Sequence, residues 1–413
     1  MSRPRWKALA AATALLAAVA GGAAAPALAA APAQAAAHAS SPPPLDAAAL
    51  RGVVDGLPGD DLTGVLVRIT GSAGQWSGTS GAGDLSTGAP VRADGSFRIG
   101  SISKVFTATV VLQLAAEHRL DVDDAVQSYL PGLLPAAYPK ITIGQLLNHT
   151  SGLPSRGGEE FWGDGTNQWF VDHRFESWSP DRIVTTLVRG REMEYPPGTA
   201  QTYSGINTFV AGLIVEKVTG HSFAREVRDR IARPLGLRHT YVPAIDDARL
   251  PGPAAHGYLT VTAKDGTAAR ADVTQQAAWP WAEGGMISTA AELDRFMGAL
   301  YRGRLLPPAQ QRLLFSVPDV PNHRNKNCEY GDNRACFSMG LMRGALEDGT
   351  EVWGKTGSRP GYTSGMFATQ DLSRRLVYSV NPTGLGGAES SSVMKLVTTV
   401  FGPLAQTRSN GSA

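Results

Sequence analysis

Phe97-Arg98-Ile99-Gly100-Ser101-Ile102-Ser103-Lys104-Val105-Phe106-Thr107-Ala108 is the stretch on which the reading of this chain turns. If the segment after Gly100 is helical, Ser101 and Lys104 lie three residues apart on one face, close enough for an amine to touch a hydroxyl. A free serine is a poor nucleophile at neutral pH, so acyl chemistry requires an adjacent base, and a desolvated lysine can serve. Ser-x-x-Lys also recurs on ordinary solvated helix faces, so the pair needs support from elsewhere in the chain.

Outward from that stretch, the 413 residues are 43% hydrophobic and carry a net charge of +2 with no block of like charges. This is an ordinary globular composition with core to spare, and its balance argues against a nucleic-acid partner. At the N-terminus, Arg3, Arg5 and Lys7 precede an apolar run from Ala8 to Ala20 and small-residue sites such as Ala27-Leu28-Ala29. That pattern predicts a secretory signal peptide over 1–29, with cleavage alternatively near 35, and hence a secreted, extracellular protein without a membrane anchor. In an exported chain the two cysteines, Cys328 and Cys336, are expected to pair and close a short surface loop. No histidine cluster has metal-ligand spacing, and neither a metal nor a cofactor is expected.

Residues 30–44 are rich in Ala, Pro and Ser and read as a disordered leader. A single domain is expected over 45–405, with a flexible tail over 406–413. Leu45–Leu57 has helical spacing, and Gly64–Thr70 with Gly74–Gly81 reads as a hairpin ahead of the nucleophile helix. From 115 to 281 the chain reads as a mostly helical insert. Its clearest helix is Ile206–Val218, stopped by Gly220, and another runs from Phe223 to Ile231 and ends before Pro234. After a helix at Leu293–Leu300, strands are predicted at Glu351–Lys355, Ser364–Ala368 and Arg375–Val380, then a last helix from Ala388 to Phe401. The fold class is α/β of the α+β kind: one antiparallel sheet assembled from both chain ends (45–114 and 282–405), flanked by helices.

Two further motifs support Ser101. Tyr203-Ser204 sits just before a helix, and Lys355-Thr356-Gly357 ends a predicted strand. Ser-x-x-Lys, a tyrosine motif and Lys-Thr-Gly, in that order, form the layout of serine penicillin-recognising enzymes. The chain resembles class C β-lactamases and, more closely, the secreted actinomycete D-alanyl-D-alanine carboxypeptidases. The resemblance also takes in Gln145-Leu146-Leu147-Asn148-His149-Thr150-Ser151-Gly152-Leu153, Pro197-Gly198-Thr199 and Val210-Ala211-Gly212-Leu213-Ile214-Val215-Glu216-Lys217.

The resemblance implies a β-lactamase/transpeptidase-like fold and an acyl-enzyme on Ser101, with Lys104 and Tyr203 passing its proton to the leaving amine. The Ser101 and Ser358 N–H groups would form the oxyanion hole, with Gly357 allowing close approach. Lys355 would favour the Tyr203 phenolate, and Thr356 would bind a substrate carboxylate. Trp279 or Trp281 would wall the cleft, Arg343 is the nearest candidate for holding a terminal carboxylate, and His149 would belong to a structural turn. The expected partners are peptidoglycan stem peptides or other small acyl substrates and covalently bound β-lactams, acting on a monomer.

Two positions depart from the family. The third residue of the tyrosine motif, usually an asparagine that holds the substrate amide and contacts the lysine, is Gly205; Asn207 could replace it only with a shifted helix start. Lys355 stands where the carboxypeptidases carry histidine. The first reading is therefore a D-alanyl-D-alanine carboxypeptidase, with an esterase or D-peptide hydrolase of the same fold as the alternative that Gly205 favours. A β-lactamase and a non-catalytic wall-binding module complete the set.

Overall fold

The computed structural model of the protein describes residues 42–155, 157–325, 328, 333–385, 387 and 390–405. The predicted signal peptide, most of the leader and the tail lie outside the described residues. Strands β1 (Leu62–Thr70), β2 (Trp76–Asp84) and β3 (Ala89–Pro90) come first, and β4 (Ser96–Arg98) runs into the nucleophile turn. Then follow β5 (Tyr258–Thr262), β6 (Ala268–Asp272) and β7 (Ile287–Thr289), and finally β8 (Met342–Ala345), β9 (Glu351–Arg359), β10 (Tyr362–Thr369) and β11 (Arg375–Pro382). The main sheet has the order β3-β2-β1-β11-β10-β9-β8, and every pairing in it is antiparallel. The two ends of the chain meet at its centre, where Val67 opposes Tyr378 and Ile69 opposes Leu376. One sheet built from both termini is what the strand patterns lead one to expect.

Side-chain alternation divides the core between the two faces of this sheet. Val65, Val67 and Ile69 of β1, with Leu376, Tyr378 and Val380 of β11, pack under the helices Ala47–Asp55 and Ser390–Phe401. Leu66 and Val377 point the other way, into the larger cluster shared with the central helix Ser103–Ala116 and the insert. That central helix is buried from Ser103 to Leu112 on every side. It therefore reads as a core element and not as an amphipathic surface helix. Phe106 stacks on Phe296 at 3.8 Å, which fixes it against the helix Ala290–Tyr301.

The insert departs from its reading in two places. It contains a β5–β6 hairpin, whose alanine-rich second strand carries no apolar alternation to betray it. The helix expected to stop before Pro234 instead continues as a π-helical turn, Arg228–Ala232, and a final turn, Arg233–Leu235, closed by Gly236 at φ 64°. Pro234 cannot donate the bond that would carry the helix on, and it falls just past the turn that has widened to π geometry, one residue before the helix ends. The helix Ile206–Thr219 ends at Gly220 in the left-handed region, as its sequence implies.

Candidate active site

Gly100 makes the nucleophile possible. Its φ of 50° starts a 3-10 turn, Gly100–Ile102, that passes into the helix at Ser103, so Ser101 is held at the helix entrance and Lys104 in its first turn. A Cβ at Gly100 would meet the Ser358 backbone nitrogen at 2.4 Å, and one at Gly357 would meet the Ile99 carbonyl oxygen at 1.9 Å and the Ser101 nitrogen at 3.1 Å. The turn and β9 can cross at this distance only because both residues are glycine. The crossing sets the backbone nitrogens of Ser101 and Ser358 close to each other, as the expected oxyanion hole would require. Lys355-Thr356-Gly357 does not end its strand, because β9 continues to Arg359.

Lys104 Nζ donates to Ser101 Oγ at 3.1 Å and to the Glu283 carbonyl at 2.8 Å, and it forms an ion pair with the Glu283 carboxylate. Ser101 keeps partial exposure, whereas Lys104 and Lys355 are buried. The Tyr203 ring lies between the two lysines, with Lys355 Nζ 4.5 Å and Lys104 Nζ 5.2 Å from its centroid. Burial alone would push the Tyr203 phenol up, but the Lys104 and Lys355 charges, aided by Ser101, bring it below the ordinary phenol range. Burial pulls Lys355 down, with Tyr203 opposing and Lys104 assisting. For Lys104, burial is outweighed by Glu283 and Tyr203, and the ammonium is favoured.

Tyr203 is supported from behind. Its ring stacks on Phe337 at 5.1 Å and tilts against His149 at 4.7 Å, while Asn325 Oδ1 accepts its backbone N–H. Gln201, fully buried, accepts from the Cys336 and Phe337 amides at 2.9 and 3.0 Å and donates to the Asn148 and Phe337 carbonyls at 2.7 and 2.8 Å. Cys328 and Cys336 are joined, and both are buried with Phe337 against Tyr203. The bridge is thus no surface staple as read from its polar flanks; it braces the segment under the tyrosine.

His149 is a ring neighbour of Tyr203 and not a base. Its Nδ1 accepts from the Ser204 amide at 3.4 Å and lies 3.1 Å from Asn207 Nδ2. Burial, then the Lys104 and Lys355 charges, hold it well below the usual imidazole value. Asn207 is occupied by His149 and by Ser151, whose hydroxyl donates to its Oδ1 at 2.6 Å, so it does not take the role of the absent motif asparagine.

The remaining expected site residues differ in where they lie. Arg343 stands opposite Trp353, on the same face of the sheet as Lys355 but two residues up the strand, and its partly exposed guanidinium pairs with Glu351 at 3.4 Å. Trp281 packs in the core against Phe223. Trp279 is buried beside Trp162 and Phe161, and the Ala277 carbonyl in its segment accepts from Arg359, which ties that aromatic cluster to the end of β9. Thr356 is partly exposed next to Lys355 and Gly357. Glu283 was missed from sequence; a lone acid in the apolar run Trp281-Ala282-Glu283-Gly284-Gly285-Met286 was the available signal. Among the described residues no cluster of metal-ligating side chains occurs, and no helix is long and apolar enough to cross a membrane.

A partly exposed serine in contact with a buried lysine, with a tyrosine ring beside that lysine, on this sheet-and-helix scaffold defines the class as serine hydrolase. The chain belongs to the β-lactamase family, whose model matches residues 50–395. It is 25% identical over 335 residues to penicillin-binding protein 4* of Bacillus subtilis, covering 78% of this chain and 68% of that protein. Penicillin-binding protein 4 of Amycolatopsis lactamdurans is 30% identical over 224 residues, and the match spans 52% of this chain and 54% of that relative. Among solved structures, a D-stereospecific amidohydrolase from a Streptomyces species superposes with a TM-score of 0.73 at 31% identity, covering 89% of this chain and all of that one. D-amino acid amidase from Ochrobactrum anthropi shares the fold, with a TM-score of 0.70 at 24% identity over 86% of this chain and 98% of that one.

Proposed function

We propose that this protein hydrolyses amide bonds of D-amino-acid derivatives through an acyl-Ser101 intermediate. Ser101 Oγ attacks the carbonyl as its proton passes to Tyr203, the Ser101 and Ser358 amides receive the oxyanion, and the leaving amine takes the proton. Water then cleaves the ester and regenerates the serine. The observation that carries this reading over the carboxypeptidase is the pairing of Arg343 with Glu351. A substrate ending in a carboxylate must compete with Glu351 for that guanidinium, whereas an amide or ester leaving group needs none. The likeness to the D-stereospecific amidohydrolase, which extends over that whole chain, supports the same choice.

The second reading is removal of D-alanine from peptidoglycan stem peptides. It is favoured by the two penicillin-binding relatives and by Thr356 beside the Lys355 cation, a pair able to hold a carboxylate. Purified protein offered D-phenylalanine amide and a D-Ala-D-Ala-terminated tripeptide separates the two. Faster ammonia release supports the first reading, faster D-alanine release the second, and turnover of neither overturns both. Export, proposed from the N-terminal segment, is checked by the N-terminal sequence of protein recovered from culture medium.

A further inference from the structure

Gly205 leaves room beside Lys104, and Glu283 fills it. A Cβ built on Gly205 would lie 3.1 Å from both Cγ and Oε1 of Glu283, the same oxygen that pairs with Lys104. Gly205 has φ −67° and ψ −33°, which any residue adopts, so its lack of a side chain is a matter of space and not of backbone strain. Glu283 itself is fixed: it lies in the short helix Trp281–Gly284, its carbonyl also accepts from Lys104, and Thr107 Oγ1 holds the adjacent Ala282 carbonyl at 2.9 Å.

We infer that Glu283 is the positioning residue for Lys104, a carboxylate supplied from a different element to the space that an asparagine of the tyrosine motif occupies in related enzymes. The exchange changes the chemistry. An asparagine is neutral and both donates and accepts, whereas a carboxylate only accepts and adds a charge. Glu283 therefore holds Lys104 as an ammonium aimed at Ser101 Oγ. In that state the lysine cannot take the serine proton, and it acts by orienting the hydroxyl and favouring the Tyr203 phenolate. The groups facing Lys104 are Ser101 from the turn, Tyr203 ahead of the insert helix, Glu283, Lys355 from β9, and His149 against the Tyr203 ring.

This rests on the acyl-enzyme reading, not on the choice of acyl group, so the test uses p-nitrophenyl acetate. Acylation forms the Ser101 ester, breaks the aryl ester bond and releases p-nitrophenolate; intact-mass spectrometry reports the acetyl group. If wild-type protein is not acetylated on Ser101, the acyl-enzyme reading fails. Given acetylation, Glu283→Gln, close to isosteric, is expected to move the alkaline limb of the acylation profile down by about one pH unit or more, since the lysine loses its counter-charge. Gly205→Asn alone is expected to slow acylation by about tenfold or more through crowding with Glu283. The double variant Gly205→Asn/Glu283→Ala is expected to acylate faster than either of its single variants, a sign reversal that only a shared space and partner produce. An unmoved limb in Glu283→Gln, faster acylation at neutral pH in Glu283→Ala, or a double variant no better than its singles overturns the inference.

Discussion

Tyr203 is the residue whose protonation the site controls. Burial opposes its phenolate, Lys104 and Lys355 favour it, and the balance falls below the ordinary phenol value. Acylation is therefore present above the Tyr203 pKa and lost as pH falls through it. Lys355→Met removes one of the two charges, raises that pKa and shifts the acid limb to higher pH, as a pH–rate profile of acylation by p-nitrophenyl acetate would show. Tyr203→Phe, which keeps the ring stacked on Phe337, is expected to slow acylation by about 100-fold to 10,000-fold. That Ser101, Lys104, Tyr203 and Lys355 gather at one place was legible because each stands in a short local motif. Glu283 was not, since its role depends on a space at Gly205 that only the folded chain reveals. The Glu351 partner of Arg343 was not legible for a similar reason: distance along the sequence from Lys355 does not say which carboxylate a strand pairing will bring to it.

At the scale of elements, the crossing of the Gly100–Ile102 turn with β9 sets the precision of the oxyanion hole. Gly357→Ala would drive a methyl into the Ile99 carbonyl, and separation of turn and strand by even about 1 Å costs about 100-fold in rate. The expected result is a folded protein, by circular dichroism, that acylates at least tenfold more slowly. Strands with short apolar runs, such as β1 and β11, could be read from sequence. The β5–β6 hairpin and β8 could not, because Ala268–Asp272 and Met342–Ala345 lack that pattern and are specified by their partners. The cysteine pair was legible as a bridge but not in its setting, since its polar neighbours in sequence conceal that both sulfurs are buried under Tyr203.

For the whole molecule, β11 lies between β1 and β10, so the site's two halves, Ser101 from the early part and Lys355 from the late part, are held together by one sheet. The Cys328–Cys336 bridge acts on this assembly. Removing it in Cys328→Ser/Cys336→Ser is expected to cost about 2–3 kcal/mol in denaturant unfolding, the value for so short a loop. Because it braces Phe337 and Tyr203, acylation should also slow by more than a surface bridge would cause. The central claim, that the reaction proceeds through Ser101 activated between Lys104 and Tyr203, is tested most directly by time-resolved mass spectrometry of the intact protein during reaction with a fluorescent penicillin. The account predicts a single covalent adduct on the peptide containing Ser101, absent in Ser101→Ala and formed more slowly in Tyr203→Phe. An undiminished adduct in Ser101→Ala, or amide turnover that survives that substitution, would contradict it.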